Sequence, residues 1–83
     1  MKIYLETVAE ILENGNWVPD PNGDNESRYI DETTFKNITC PQTVRFFKSL
    51  GGTEKITRKN GLITKLVSTS PDKLKRTIYK FKY

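Results

Sequence analysis

The sequence predicts an α+β fold for a single domain over residues 1–83, in which a small antiparallel β-sheet carries one α-helix on a face. The sheet is expected to contain about four to six strands in hairpins. Two observations predict this fold. Asn14-Gly15 stands between apolar flanks, and one later segment shows start and stop signals of a helix. A chain of 83 residues has room for one modest core.

The first element is predicted to be a hairpin around Asn14-Gly15, because this pair is the strongest short hairpin signal. A two-residue loop there matches three pairs across the strands: Glu13 with Asn16, Leu12 with Trp17, and Ile11 with Val18. A helix over residues 5–13 is the alternative, since apolar residues recur there at helical spacing. The apolar cross-strand pairs favour the hairpin.

The middle of the chain is predicted to be mostly extended. Turn formers and acids from Pro19 to Ser27 indicate a loop. A short extended piece follows at 28–30. Residues 33–38 are expected to form another, with Phe35 and Ile38 as core contacts.

One helix is predicted from Thr39 to the Gly51-Gly52 pair. Thr39 and Gln42 have capping-box spacing, and Pro41 falls in the first turn, where its missing amide proton costs little. The Gly pair ends the helix. The stripe expected to face the core contains Val44, Phe47 and Leu50, with Phe46 beside it and with Arg45 and Lys48 on the outer face.

The carboxy-terminal part is predicted to be sheet. Residues 55–58 lead through a turn at 59–61 into a strand over 62–69, whose apolar members are Ile63, Leu66 and Val67. Ser70 to Lys73 has the composition of a type I turn with proline at its second position. Leu74 to Tyr83 is the last strand.

The composition argues against most catalytic chemistry. There is no histidine and only one cysteine, Cys40, so an internal disulfide, a Cys/His zinc site and a histidine-activated nucleophile are excluded. Cys40 is expected to be a small packing residue at the helix start. Asp20, Asn22 and Asp24 are spaced like the start of a calcium loop, but Asn25 stands at the position that requires glycine. We therefore expect a non-enzymatic protein without a metal or cofactor.

Charge is distributed unevenly along the chain. Residues 1–35 carry two basic and eight acidic residues, a net charge of −6, whereas residues 36–83 carry twelve basic and two acidic residues, a net charge of +10. Such an asymmetry gives information about binding partners and not about the fold. We expect the late cations to form one outward-facing positive region that the early carboxylates do not cancel.

Three sets of residues are candidate contacts. The predicted polyanion contacts are Arg45, Lys48, Arg58, Lys59, Lys65, Lys73, Lys75, Arg76, Lys80 and Lys82. The predicted stacking residues are Tyr79, Phe81 and Tyr83, although packing into the core is the favoured alternative for these rings. The predicted acidic contact face for a protein partner contains Glu6, Glu10, Glu13, Asp20, Asp24 and Glu26.

Together these features predict a small binding protein whose basic carboxy-terminal half contacts nucleic acid or a nucleoprotein complex. Size, charge polarity and missing catalytic residues are typical of accessory proteins of phages and mobile elements. One alternative is a stoichiometric inhibitor of the anti-defence or anti-CRISPR kind, which covers a surface of a protein partner. Another is an assembly protein that forms homo-oligomers. An early charge argues against a signal peptide, and no segment has membrane-spanning length, so a cytoplasmic location without membrane contact is expected.

Overall fold

The computed structural model describes residues 2–83 and confirms the α+β fold, a six-stranded antiparallel sheet with one eight-residue helix. The elements in chain order are β1 (Ile3–Glu13), β2 (Asn16–Pro19), β3 (Glu26–Ile30), α1 (Glu32–Thr39), α2 (Phe46–Ser49), β4 (Thr53–Lys59), β5 (Leu62–Thr69) and β6 (Lys75–Lys82). Neither helix in this part of the chain is long and apolar enough to cross a bilayer.

Five strands follow the order β2-β1-β6-β5-β4, and β3 pairs with β1. Since β6 pairs with residues 4–11 of β1, the opposite edge of β1 is shared by β3, along residues 3–7, and β2, along residues 10–13. The loop between β2 and β3 bridges this edge. Ala9 donates its amide to Asn25 Oδ1 at 3.0 Å and accepts the Asp20 amide at 3.0 Å.

Both Asn-Gly turns form the predicted hairpins. Asn14 and Gly15 have φ of 50° and 79°, and Asn60 and Gly61 have φ of 53° and 79°, as a two-residue turn with positive φ at both central positions requires. The first hairpin has the predicted register. The turn at 70–73 is also confirmed, because the Lys73 amide donates to the Ser70 carbonyl at 2.9 Å.

The extended piece predicted at 33–38 is wrong, because these residues belong to α1. Asp31 caps the helix, because its Oδ1 accepts a hydrogen bond from the Thr34 amide at 2.7 Å. This bond satisfies one of the backbone amides of the first turn that have no partner within the helix. Helical geometry places Phe35 and Ile38 on the same side, where both pack against the core. Their predicted role as core contacts is therefore confirmed.

The helix predicted from Thr39 to Gly51 is largely wrong. Thr39 ends α1, and Cys40 is extended with φ −60° and ψ 129°, since the ring of Pro41 disfavours a helical residue before it. Only the single turn α2 forms, and it ends before Gly51 as predicted. One turn cannot present the long stripe expected to face the core. Val44, Phe46 and Leu50 are instead 67%, 72% and 57% exposed.

The core lies between α1 and one side of the sheet. It consists of five buried residues from four elements: Ile3 and Leu5, Ile30, Leu66, and Phe81. The Phe35 ring meets Phe81 edge-on at 5.1 Å. This side, which also carries α2, is called the helix face, and the uncovered side is called the open face. Alternation along β6 places Phe81 on the helix face and Ile78 on the open face.

Candidate binding surfaces

Five lysines share the open face through the pairing of β4, β5 and β6. They are called the lysine cluster: Lys55, Lys59, Lys65, Lys80 and Lys82. Lys65 is half-buried and the other four are exposed. None of the five forms an ion pair with another residue of the 2–83 range.

Strand geometry sets the size of the lysine cluster. Two gaps between neighbouring strands separate β4 from β6, and Lys59 lies four residue steps along β4 from Lys55, so the backbone positions cover roughly 10 Å by 14 Å. Lys65 stands directly opposite Lys80 in the β5–β6 register, which brings their Cβ atoms to about 5 Å. Facing charges of one sign destabilise a sheet, and Glu6, which stands opposite Lys80 on β1, offsets only part of this cost.

Lys55 was missing from the predicted contacts. It pairs with Val67 on the open face, two residues before Thr57, which pairs with Lys65. Beyond Thr57 the register shifts, because β5 carries one extra residue, Thr64. Alternation along β4 could have indicated Lys55, but the register that brings it near Lys65 depends on this irregularity.

Two aromatic rings accompany the lysine cluster, the half-buried Tyr4 and the exposed Tyr29, and neither is a predicted stacking residue. Tyr4 pairs with Lys82 across β1 and β6, and its ring meets Tyr29 of β3 edge-on at 5.1 Å. Tyr29 is 67% exposed. The pairing of β1 with β3, which brings these two tyrosines together, has no local sequence signal.

The three predicted stacking residues occupy other places. Phe81 is 3% exposed and belongs to the core, and Tyr79 is half-buried on the helix face. Tyr83 is 45% exposed, but its hydroxyl donates to the Ile63 carbonyl at 2.6 Å and its ring packs edge-on against Phe35. None of the three rings lies on the open face beside the lysine cluster.

Three predicted polyanion contacts are engaged with carboxylates. Arg76 donates to Glu10 Oε1 through Nε at 2.7 Å and lies 2.6 Å from it through Nη2, while its guanidinium sits 4.2 Å from the centre of the Trp17 ring. Arg45 binds Glu54 at 2.7 Å, and Lys48 approaches the same carboxylate at 3.9 Å. One late cation, Arg76, is thus neutralised by an early carboxylate, two more are neutralised by the late Glu54, and the lysine cluster is the largest group that stays unpaired in the described part of the chain.

The remaining predicted cations lie outside the lysine cluster. Arg58 is exposed on the helix-face side of the edge strand β4, Lys73 is in the turn before β6, and Lys75 begins β6 on the helix face.

The six predicted acidic contacts do not form one surface. Glu6 and Glu10 lie on the open face, opposite Lys80 and Arg76, and Glu13 is exposed at the end of the first hairpin. The other three gather on the opposite side of the sheet, around a groove that the sequence did not indicate: Asp20, Asp24 and Glu26.

This helix-face groove has a volume of about 640 Å³. Its floor is the part of the sheet that α1 leaves uncovered, with Thr7 and Ala9 of β1 beside Thr77 and Tyr79 of β6. The floor carries no charge at physiological pH, since it contains only neutral side chains, and burial raises the pKa of the Tyr79 hydroxyl further above its usual range. The surrounding wall contains the three carboxylates, Arg28, Lys75, and the apolar side chains of Ile38, Phe46 and Phe47.

Neither a metal site nor a reactive thiol is indicated. No group of three or more Asp, Glu, Cys or His side chains among residues 2–83 is arranged to hold a metal ion. Asp20 Oδ1 accepts the Asn22 amide at 2.9 Å, which is an ordinary turn contact of such loops. Cys40 lies at the end of α1, and not at a helix start as predicted. Comparison with protein-family models, curated proteins and solved structures found no match for the chain.

Proposed function

We propose that the protein binds nucleic acid, alone or within a nucleoprotein complex, through the lysine cluster of the open face. The observation that carries the proposal is five lysines on one uncovered face without an ion-pair partner among the described residues. Two of them, Lys65 and Lys80, face each other across neighbouring strands.

Phosphate is the chemistry that suits this arrangement. A lysine ammonium is a compact cation with three donors, and neutralising a phosphate with it releases condensed counterions from the nucleic acid. A polyanion over the cluster would also relieve the repulsion between Lys65 and Lys80, because its charge lies between theirs. Of the two carboxylates beside the cluster, Glu10 is held by Arg76, and Glu6 stands opposite Lys80, where it offsets part of the charge of one lysine out of five.

The shape of the surface favours a single strand. No helix projects from the open face to enter a duplex groove, whereas an uncovered sheet with exposed rings can accept unstacked bases. Tyr29 and Tyr4 lie at the end of the cluster next to Lys82, where a base could stack on the exposed Tyr29 ring.

Salt dependence of binding tests the proposal. Fluorescence anisotropy with a labelled twelve-nucleotide single strand, in 50–300 mM NaCl, should give a log–log slope of about −3.5 if five lysines each neutralise a phosphate. The double variant Lys80→Gln and Lys82→Gln should reduce the slope by about 1.4. The matched control, Lys36→Gln with Lys73→Gln, removes the same charge outside the cluster and should leave the slope unchanged.

Two outcomes would contradict the proposal. One is a lack of binding to both single and double strands at low salt. The other is an equal loss of slope in the two double variants, since this would show a response to net charge and not to the lysine cluster.

A further inference from the structure

We infer that the helix-face groove is a second binding site, which takes a short segment of a partner protein with an apolar anchor residue flanked by basic residues. This inference does not depend on the proposed nucleic-acid binding. It rests on three features of the groove: an uncovered apolar rim, a rigid acidic wall, and a position on the side of the sheet opposite the lysine cluster.

The apolar rim lies on and beside α2. Phe46 lines the groove with its ring 5.5 Å from that of Phe47, and it is 72% exposed. Leu50 is one helical turn further on, and Val44 comes just before α2; both are exposed. These three exposed apolar side chains lie within seven residues, and Phe46 is the one that lines the groove, where exposed apolar surface favours a protein contact. The adjoining groove gives an anchor side chain room to enter.

The acidic wall is held in place by the main chain. The loop from Pro19 to Asn25 is bound to Ala9 at both of its ends, and Gly23 lies so close to β1 that an added Cβ would be 2.3 Å from the Ala9 Cβ. Asp24 makes no hydrogen bond or ion pair within the described range. Glu26 is already paired with Arg28, so Asp20 and Asp24 are the carboxylates that remain for an incoming cation.

Charge complementarity identifies the occupant. Three carboxylates against two cations make the groove locally acidic, although the chain as a whole carries a charge of +4. Phosphate would be repelled here, whereas a lysine or arginine next to an apolar anchor would meet Asp24 while the anchor packs on Phe46. A peptide with an apolar anchor and basic flanks is therefore the class of ligand that matches both the apolar rim and the acidic wall.

The test is a titration of the ¹⁵N-labelled protein with nine-residue peptides that place Leu, Ile, Phe or Trp at the centre between arginines. At least one should bind saturably and shift the amide signals of Ala9, Phe46 and Thr77. The same peptide with glutamates as flanks, or with serine at the centre, should bind at least about ten-fold more weakly. Phe46→Ala and Asp24→Asn, both at exposed positions, should each weaken binding by a similar factor.

Tyr29→Ala on the open face is the matched control and should leave peptide affinity unchanged. Conversely, Phe46→Ala should leave oligonucleotide binding unchanged, so the peptide site and the nucleic-acid site can be refuted separately. The inference is overturned if no peptide of the panel saturates at about 1 mM, or if acidic flanks bind as well as basic ones, since either result removes the complementarity from which the ligand was deduced.

Discussion

Replacing Lys65 by glutamine should stabilise the fold and weaken nucleic-acid binding at once. Lys65 and Lys80 are directly paired across β5 and β6. Directly opposed side chains in sheets contribute about 0.2–1 kcal/mol, and like charges in such a pair are destabilising. The Lys65→Gln variant should therefore gain about 0.5 kcal/mol in the free energy of unfolding, because the repulsion disappears while most of the side-chain volume remains.

The gain should be visible in thermal unfolding. For a domain of this size, about 0.5 kcal/mol corresponds to roughly 2–4 °C in Tm. In 1 M NaCl the Debye length falls to about 3 Å, so most of the difference between variant and parent should vanish. The same variant should lose one phosphate contact and reduce the salt slope of oligonucleotide binding by about 0.7.

Lys55→Gln is the matched control for Lys65→Gln. It makes the same substitution on the same face, but Lys55 pairs with Val67 and faces no cation in the register. It should reduce the salt slope similarly without raising Tm. If Lys65→Gln raises Tm at low salt no more than Lys55→Gln does, the assumed repulsion does not exist, and the argument that the lysine cluster is held against an energetic cost fails.

Two further predictions concern the fold. Gly52→Ala should destabilise the protein by about 3 kcal/mol, more than Gly51→Ala, in chemical denaturation. An added Cβ at Gly52 would lie 2.1 Å from the Thr69 carbonyl oxygen, whereas an added Cβ at Gly51 would meet no atom within 4 Å and would be opposed only by the positive φ of that residue. Equal losses in the free energy of unfolding would contradict the packing argument. Asp31→Ala should lower Tm by a few degrees at pH 7. Because the Thr34 amide lowers the pKa of Asp31, this difference should shrink as the pH falls below about 4; a difference independent of pH would exclude the carboxylate cap.

Local signals predicted the hairpins correctly because their cause is local. Asn-Gly pairs adopt positive φ without help from the rest of the chain, so both hairpins and the β1–β2 register could be predicted from neighbouring residues. The helix was misplaced because two capping patterns compete within a short distance. Thr39 and Gln42 have the spacing of a capping box, but Asp31 caps an earlier helix that ends at Thr39.

The candidate site was predicted only in part. Residue type and alternation along β6 were sufficient to put Lys80 and Lys82 on one face. They were not sufficient to predict that Arg76 is held by Glu10 and Trp17, since this contact joins the two ends of the chain. The tyrosines beside the cluster were missed for the same reason: Tyr4 and Tyr29 become neighbours only when β3 joins β1.

The α+β class, the turns of the hairpins and the excess of positive charge in the second half of the chain could all be deduced from the order of the residues. Only the folded chain shows which cations are neutralised, which rings are exposed, and that a groove with acidic and apolar side chains lies on the opposite side of the sheet from the lysine cluster. The physical reason is that turns depend on the backbone preferences of adjacent residues, whereas neutralisation and exposure depend on pairings between distant strands. In a sheet whose first strand lies next to its last, those pairings exist only after the chain has folded.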